Sequence, residues 1–240
     1  MNLIIVRDED YTEAKIVKLM GRRFKHIKKV HRAKKGDILK VGKLNGKMGT
    51  GKVLELGEEF VKLKLNLTEN PPKAMPVKLI LAMPRPKVFK RLLQMITTLG
   101  IKEVYLIGCW KVEKSFFDTP NLQEEKIEEQ LILGLEQSKD TILPKIIIKK
   151  LFKPFIEDDL SKIIEGTEAL VAHPYVNTEK IVESKKGLEW KTLVIGPEGG
   201  FIPYEVEKLE EIGFKRFSIG ERILKVESAV PFILGRITSS

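Results

Sequence analysis

A chain of 240 residues that is 42% hydrophobic can pack one large domain or two smaller ones. Its net charge of +10 and pI near 9.4 point to an anionic partner, and its one cysteine, Cys109, excludes an intrachain disulfide framework and a cysteine metal cluster. His26, His31 and His173 lack metal-ligand spacing, so no metal is expected, and with no signal-peptide h-region or membrane-length apolar stretch we expect a soluble cytoplasmic protein. The charge is uneven: residues 1 to 72 hold 17 Lys and Arg against 9 Asp and Glu, and the remainder 26 against 24. Between Lys15 and Lys47 there are 13 basic residues and one acid, Asp37. So long and acid-free a run favours a nucleic-acid footprint over a merely solvated face. A membrane surface is disfavoured because no basic amphipathic helix with aromatic anchors is present.

In chain order, residues 1 to 6 form a β-type run, and Ala14 to Val30 a short helical or irregular basic segment. Asp37 to Val41, Gly51 to Leu56 and Phe60 to Leu67 read as strands, with turns at Gly36-Asp37, Asn45-Gly46 and Gly49. That pattern suits a small β-barrel. Pro71-Pro72 cannot continue a helix or sheet interior, which places a boundary near residue 72 and predicts domains of 1–72 and 73–240.

Beyond it strands and helices alternate. Val77 to Met83 reads as a strand, Lys87 to Leu99 as a helix closed by Gly100, Val104 to Ile107 as a strand, and Glu124 to Gln137 as a helix. Ile146 to Leu151 is a strand, Glu157 to Ile164 a helix closed by Gly166, and Ala169 to Ala172 and Leu193 to Ile195 are strands. Pro203 to Ile212 is a helix, Phe217 to Ile219 a strand, and Ser228 to Ile237 a last helix with Pro231 in its first turn. This alternation predicts an α/β domain with a mainly parallel sheet covered on both faces.

Two turns stand out at predicted carboxyl ends of strands, where open α/β sheets bind ligands. They are Gly196-Pro197-Glu198-Gly199-Gly200-Phe201 and Ile219-Gly220-Glu221-Arg222-Ile223-Leu224-Lys225-Val226-Glu227-Ser228-Ala229. Glycines there let a ligand approach backbone N–H groups. Neither turn has the lysine of a P-loop or the dinucleotide spacing. The ligand is therefore not expected to be ATP, GTP or NAD, and a nucleoside or amino-acid-like cofactor fits better.

These motifs resemble those of the ribosomal RNA uridine N3-methyltransferases of the SPOUT class. The likeness extends to Leu170-Val171-Ala172-His173-Pro174, to Glu136-Gln137-Ser138 with Pro144, and to the basic amino-terminal portion, where Phe24 to Arg32 and Gly36-Asp37 are similar to the opening of a PUA-like RNA-binding barrel. The resemblance implies a trefoil knot in a SPOUT methyltransferase domain, S-adenosylmethionine as cofactor, small-subunit ribosomal RNA as substrate and a homodimer. It implies that Leu170, Val171, Ala172, Gly196, Glu198, Gly199, Ile219, Gly220, Ile223 and Leu224 hold the cofactor.

Uridine N3 becomes a good nucleophile only as its proton leaves, so the site needs a proton acceptor or a cation for the developing charge. Arg222 is the candidate cation, with an ion pair to Glu221 or Glu227 as its structural alternative, and Glu198 and Glu227 are the acidic candidates. Arg7, Arg22, Lys28, Arg32 and Arg85 are the expected RNA contacts. The chain departs from the family pattern at Met95, at Thr98-Leu99-Gly100, at Lys225 and at Ser228, which keeps a capping hydroxyl. A ribose 2′-O-methyltransferase of the same superfamily, or an RNA-binding protein with a non-catalytic methyltransferase fold, are the alternatives.

Overall fold

A computed structural model of the chain describes residues 2–173 and 189–238. Met1 of the first expected strand and Pro174 of the His-Pro motif lie outside them. Contacts divide the chain into two compact units. One comprises Met1–Lys73 with Gln94–Gly100 and Glu128–Leu143, and the other Ala74–Leu93, Ile101–Ile127 and Pro144–Ser240.

The first unit contains β1 (Ile4–Val6), β2 (Tyr11–Glu13), β3 (Ile16–Met20), α1 (Gly21–His26), β4 (Ile38–Lys43), β5 (Met48–Leu56) and β6 (Phe60–Glu69). The strands form one sheet in the order β1-β4-β5-β6-β3-β2, antiparallel except where β1 meets β4. Ile16–Met20, expected to be helical or irregular, is a strand. Val17 and Leu19 are fully buried while Lys18 and Met20 are exposed, a period of two hidden within the basic run. The helical part is confined to α1 and the π turn Ile27–His31 after it, and it ends at Arg32 in the left-handed region, φ 52°. β1 serves two apolar clusters by the same alternation. Ile4 and Val6 join the main core with Phe24, Val41 and Leu63, while Leu3 and Ile5 pack with Ile132 and Leu135.

The second unit is built on β7 (Val77–Ala82), α2 (Pro86–Thr98), β8 (Glu103–Ile107), α3 (Glu124–Ser138), β9 (Lys145–Lys149), α4 (Phe152–Pro154), α5 (Ser161–Ile164), β10 (Glu168–Ala172), β11 (Lys191–Ile195), α6 (Pro203–Glu211), β12 (Lys215–Phe217) and α7 (Val226–Ile237). The later residues of α2 and α3 count with the first unit. All six strands run parallel in the order β12-β10-β11-β7-β8-β9. Leu79–Ala82, Val104–Ile107 and Leu193–Ile195 are buried without alternation, as strands covered on both faces must be.

Two boundaries next to the second glycine turn differ from the sequence reading. β12 ends at Phe217, because Ser218 turns the chain, its hydroxyl accepting the Gly220 N–H at 3.3 Å. α7 starts at Val226 with Lys225 as its N-cap and no side-chain capping bond, so Ser228 does not cap it. Pro231 is therefore the sixth residue of α7, where it has no N–H to give the carbonyl of Glu227. Val226, Val230, Ile233 and Ile237 nevertheless form the expected buried face. Among the described residues no helix is long and apolar enough to cross a membrane, and no group of His, Cys, Asp or Glu is placed to hold a metal ion.

Candidate functional site

Parallel pairing brings three strand ends to one level. Ala172, the last residue of β10, is in register with Ile195 of β11 on one side and Phe217 of β12 on the other. Residues 196–201 and 218–225 therefore emerge side by side with His173 and enclose one cavity, lined mainly by apolar side chains such as Ile195, Phe201, Phe217 and Ile233. Gly200 and Gly220, with φ of +70° and +133°, occupy the left-handed region. A Cβ built on either meets nothing within 4 Å, so conformation rather than crowding requires glycine, and their backbone stays open to the cavity they line.

Arg222 also lines the cavity, with its side chain exposed. Among the described residues it forms no ion pair, and neither Glu221 nor Glu227 neutralises it. Glu227 lies outside the lining, its carboxylate 4.0 Å from Arg91. His173 donates its backbone N–H to Phe217 O at 3.0 Å. Burial, then the nearby Arg216 cation, holds its imidazole below the usual histidine range and so neutral near pH 7.

A second, more polar cleft of about 220 Å³ shares Pro197, Glu198 and Val226 with the first. Glu198 forms an ion pair with Arg85, its Oε2 3.0 Å from Nε, so both are held at the wall between the clefts. Lys111 Nζ donates to Gly199 O at 2.7 Å. Behind the turn, Glu205 is 2% exposed and accepts the N–H of Ile202 at 3.0 Å and of Trp110 at 2.7 Å, tying the start of α6 to the loop after β8.

Of the expected cofactor residues, Ala172, Gly196, Glu198, Ile219, Gly220, Ile223 and Leu224 line the first cavity. Leu170 and Val171 are buried inside β10, and Gly199 faces the second cleft. The sequence reading named Gly200 in its glycine turn but left it off the cofactor residues, and it passed over Phe217 and Ile233 in the lining and Lys111 and Trp110 in the loop after β8. Gly200 had a signal, since it closes the Gly-Gly pair, whereas the others depend on which strands lie together.

The expected RNA contacts are only partly available. Arg22 makes a two-pronged bond to buried Glu136 at 2.8 and 2.9 Å, and Arg7 pairs with Glu128 at 2.6 Å. Both guanidiniums are therefore engaged within the first unit, Arg22 because a buried carboxylate demands a partner. Lys28 lies 5.3 Å from the Phe24 ring centroid with its side chain at the surface, and Arg32 is exposed. Arg85 belongs to the second unit and is the partner of Glu198.

Open backbone at two left-handed glycines, apolar walls and the absence of a phosphate-binding lysine among the described lining residues fit a nucleoside carrying an amino-acid tail, as in S-adenosylmethionine.

The family described as "RNA methyltransferase domain" matches residues 71–238. The chain is 27% identical over 234 residues to the Ribosomal RNA small subunit methyltransferase E of Treponema pallidum (strain Nichols), covering 95% of this chain and 87% of that protein. It is 24% identical to the Ribosomal RNA small subunit methyltransferase E 1 of Borreliella burgdorferi, over 95% of this chain and 94% of that one. Its fold is similar to the crystal structure of a Ribosomal RNA small subunit methyltransferase E from Neisseria gonorrhoeae bound to S-adenosyl methionine. The TM-score is 0.74 at 18% identity, over 98% of this chain and 95% of that one. A methyltransferase of Legionella pneumophila in complex with the same cofactor gives a TM-score of 0.74 at 19% identity, over 98% and 96%.

Proposed function

Since the chain belongs to the RNA methyltransferase domain family, we propose that it transfers a methyl group from S-adenosylmethionine to N3 of a uridine in small-subunit ribosomal RNA. The names of the relatives that align along nearly the whole chain support the substrate. The Gly-Pro-Glu-Gly-Gly-Phe and Arg-Ile-Leu turns support the base position through their resemblance to the uridine N3 enzymes. The observation that carries the reading is the cavity where the ends of β10, β11 and β12 meet, with Arg222 on its wall and a polar cleft next door.

When bound, the cofactor supplies a methyl group on a sulfonium, which leaves as a neutral thioether. The chain's own residues do the rest. Backbone at Gly200 and Gly220 and the apolar walls hold the nucleoside. Arg222, whose fork is free of carboxylates among the described residues, stabilises negative charge on the uracil oxygens as the N3 proton leaves. In this reading Glu198, which borders both clefts, receives that proton, and Glu227, beyond the lining, does not.

Residues 1–72 act as a PUA-like RNA-binding barrel and residues 73–240 as a knotted SPOUT domain in this reading. The protein works as a homodimer in the cytoplasm, where its RNA is found. The test is to incubate it with isotopically labelled cofactor and small ribosomal subunits and to map the methylated atom. Label on uridine N3 supports the proposal. Label on a ribose 2′ oxygen, or none despite bound cofactor and RNA, overturns it in favour of a 2′-O enzyme or a non-catalytic RNA-binding protein.

A further inference from the structure

The loop after β8 presents the most exposed large apolar side chain among the described residues. Trp110 is 79% exposed, against 39% for Trp190. Its neighbours are the opposite. Cys109 and Val112 are buried at 8% and 9%, and the Val112 N–H closes a turn onto Cys109 O at 3.0 Å. The Trp110 N–H is held by the buried carboxylate of Glu205, and the next side chain, Lys111, is tied to Gly199 O. The backbone beneath the indole is thus fixed to α6 through Glu205, and the neighbouring Lys111 side chain reaches the glycine turn, while the ring is left in solvent.

An isolated exposed indole on a mobile tip needs no explanation, but one held this firmly beside a ligand cleft does. The cleft that begins at Lys111 also carries Arg85 and the half-buried ring of Phe116, and it shares the Glu198 wall with the cofactor cavity. Cations with an exposed aromatic face make the surface that single-stranded RNA recognises, because every base offers a π-face to stack and every phosphate a charge to neutralise.

We infer that Trp110 is the stacking platform for an unpaired base of the RNA that flanks the acceptor uridine, and that Lys111 and Arg85 receive the adjoining backbone. The inference rests on the proposed RNA methyl transfer for the identity of the strand. Trp110 acts as a positioning residue: it sets where the RNA lies and takes no part in the transfer.

The chain has two tryptophans, so Trp190→Phe leaves Trp110 as the sole indole reporter. Titration with single-stranded oligouridylate should quench its emission saturably. Trp110→Ala should weaken RNA binding and raise KM on the order of 10- to 100-fold, with kcat at saturating RNA and cofactor affinity within about twofold. Trp110→Phe should restore most of the loss. Emission unmoved at saturating RNA, or wild-type RNA affinity in Trp110→Ala, would overturn the inference. So would emission that is blue-shifted before RNA is added and depends on protein concentration, with an altered oligomeric state in Trp110→Ala, since a second copy would then cover the ring. The quench requires no methyl transfer. A quench in a protein that fails to methylate small subunits overturns the proposed function and leaves the stacking site standing.

Discussion

Glu205 offers the sharpest test of how the site is assembled. Its carboxylate is 2% exposed and accepts two backbone N–H groups, from Trp110 at 2.7 Å and from Ile202 at 3.0 Å. A hydrogen bond to a charged group contributes about 1.5–3 kcal/mol, and a carboxylate in the first turn of a helix adds about 0.3–1 kcal/mol. Both bonds are only part-buried, so water recovers some of the loss on deletion. Glu205→Ala should then destabilise the second unit by about 2–4 kcal/mol, and Glu205→Gln, which keeps one acceptor oxygen, by about half as much. Urea unfolding followed by far-ultraviolet circular dichroism measures this, the midpoint falling while the denaturant slope is unchanged. If Glu205→Ala lies within about 0.5 kcal/mol of wild type, the loop after β8 is not held by this carboxylate and the fixed presentation of Trp110 fails with it.

Arg222→Ala should slow single-turnover methylation about a hundredfold or more with cofactor affinity little changed, Arg222→Lys recovering part, because a preorganised cation acts on charge that develops only during transfer; near-wild-type turnover would remove it from the mechanism. Arg22→Ala should lower stability by about 2–3 kcal/mol and leave the salt dependence of RNA binding unchanged, because it strands the buried carboxylate of Glu136, while the 46% exposure of Arg22 keeps the loss below that of a fully buried pair. A salt slope shallower by about 0.7–0.9 would instead make Arg22 a phosphate contact. His26 has a buried, unbonded Nε2, and burial above all lowers its pKa below 6.5 in the folded state. The unfolded chain therefore binds the proton first, and stability should fall as pH drops through about 6.5. His26→Gln should flatten that limb in urea midpoints compared at neutral and mildly acidic pH, and an identical slope in the variant would refute the assignment.

Much of the fold was legible in the sequence because it is written in short-range terms. The strands β7, β8, β10 and β11 are apolar runs bounded by turn residues, Gly100, Gly166 and Gly213 close helices with positive φ, and the glycine turns announce themselves by composition. The errors at Ile16–Met20 and Pro231 came from the same level, where a basic run masked a period of two and a two-residue shift moved a proline out of the first turn. What only the tertiary structure decided is which distant groups meet. Glu136 finds Arg22 across 114 positions, Glu205 finds Trp110 across 95, Arg85 takes the Glu198 carboxylate, and the first unit recruits 94–100 and 128–143 from far along the chain. A residue's preference for helix, strand or turn depends on a few neighbours and its own side chain. The pairing of two charges, or the register that sets Ala172 beside Ile195 and Phe217, depends on parallel strands joined through long crossovers, and no local pattern encodes that.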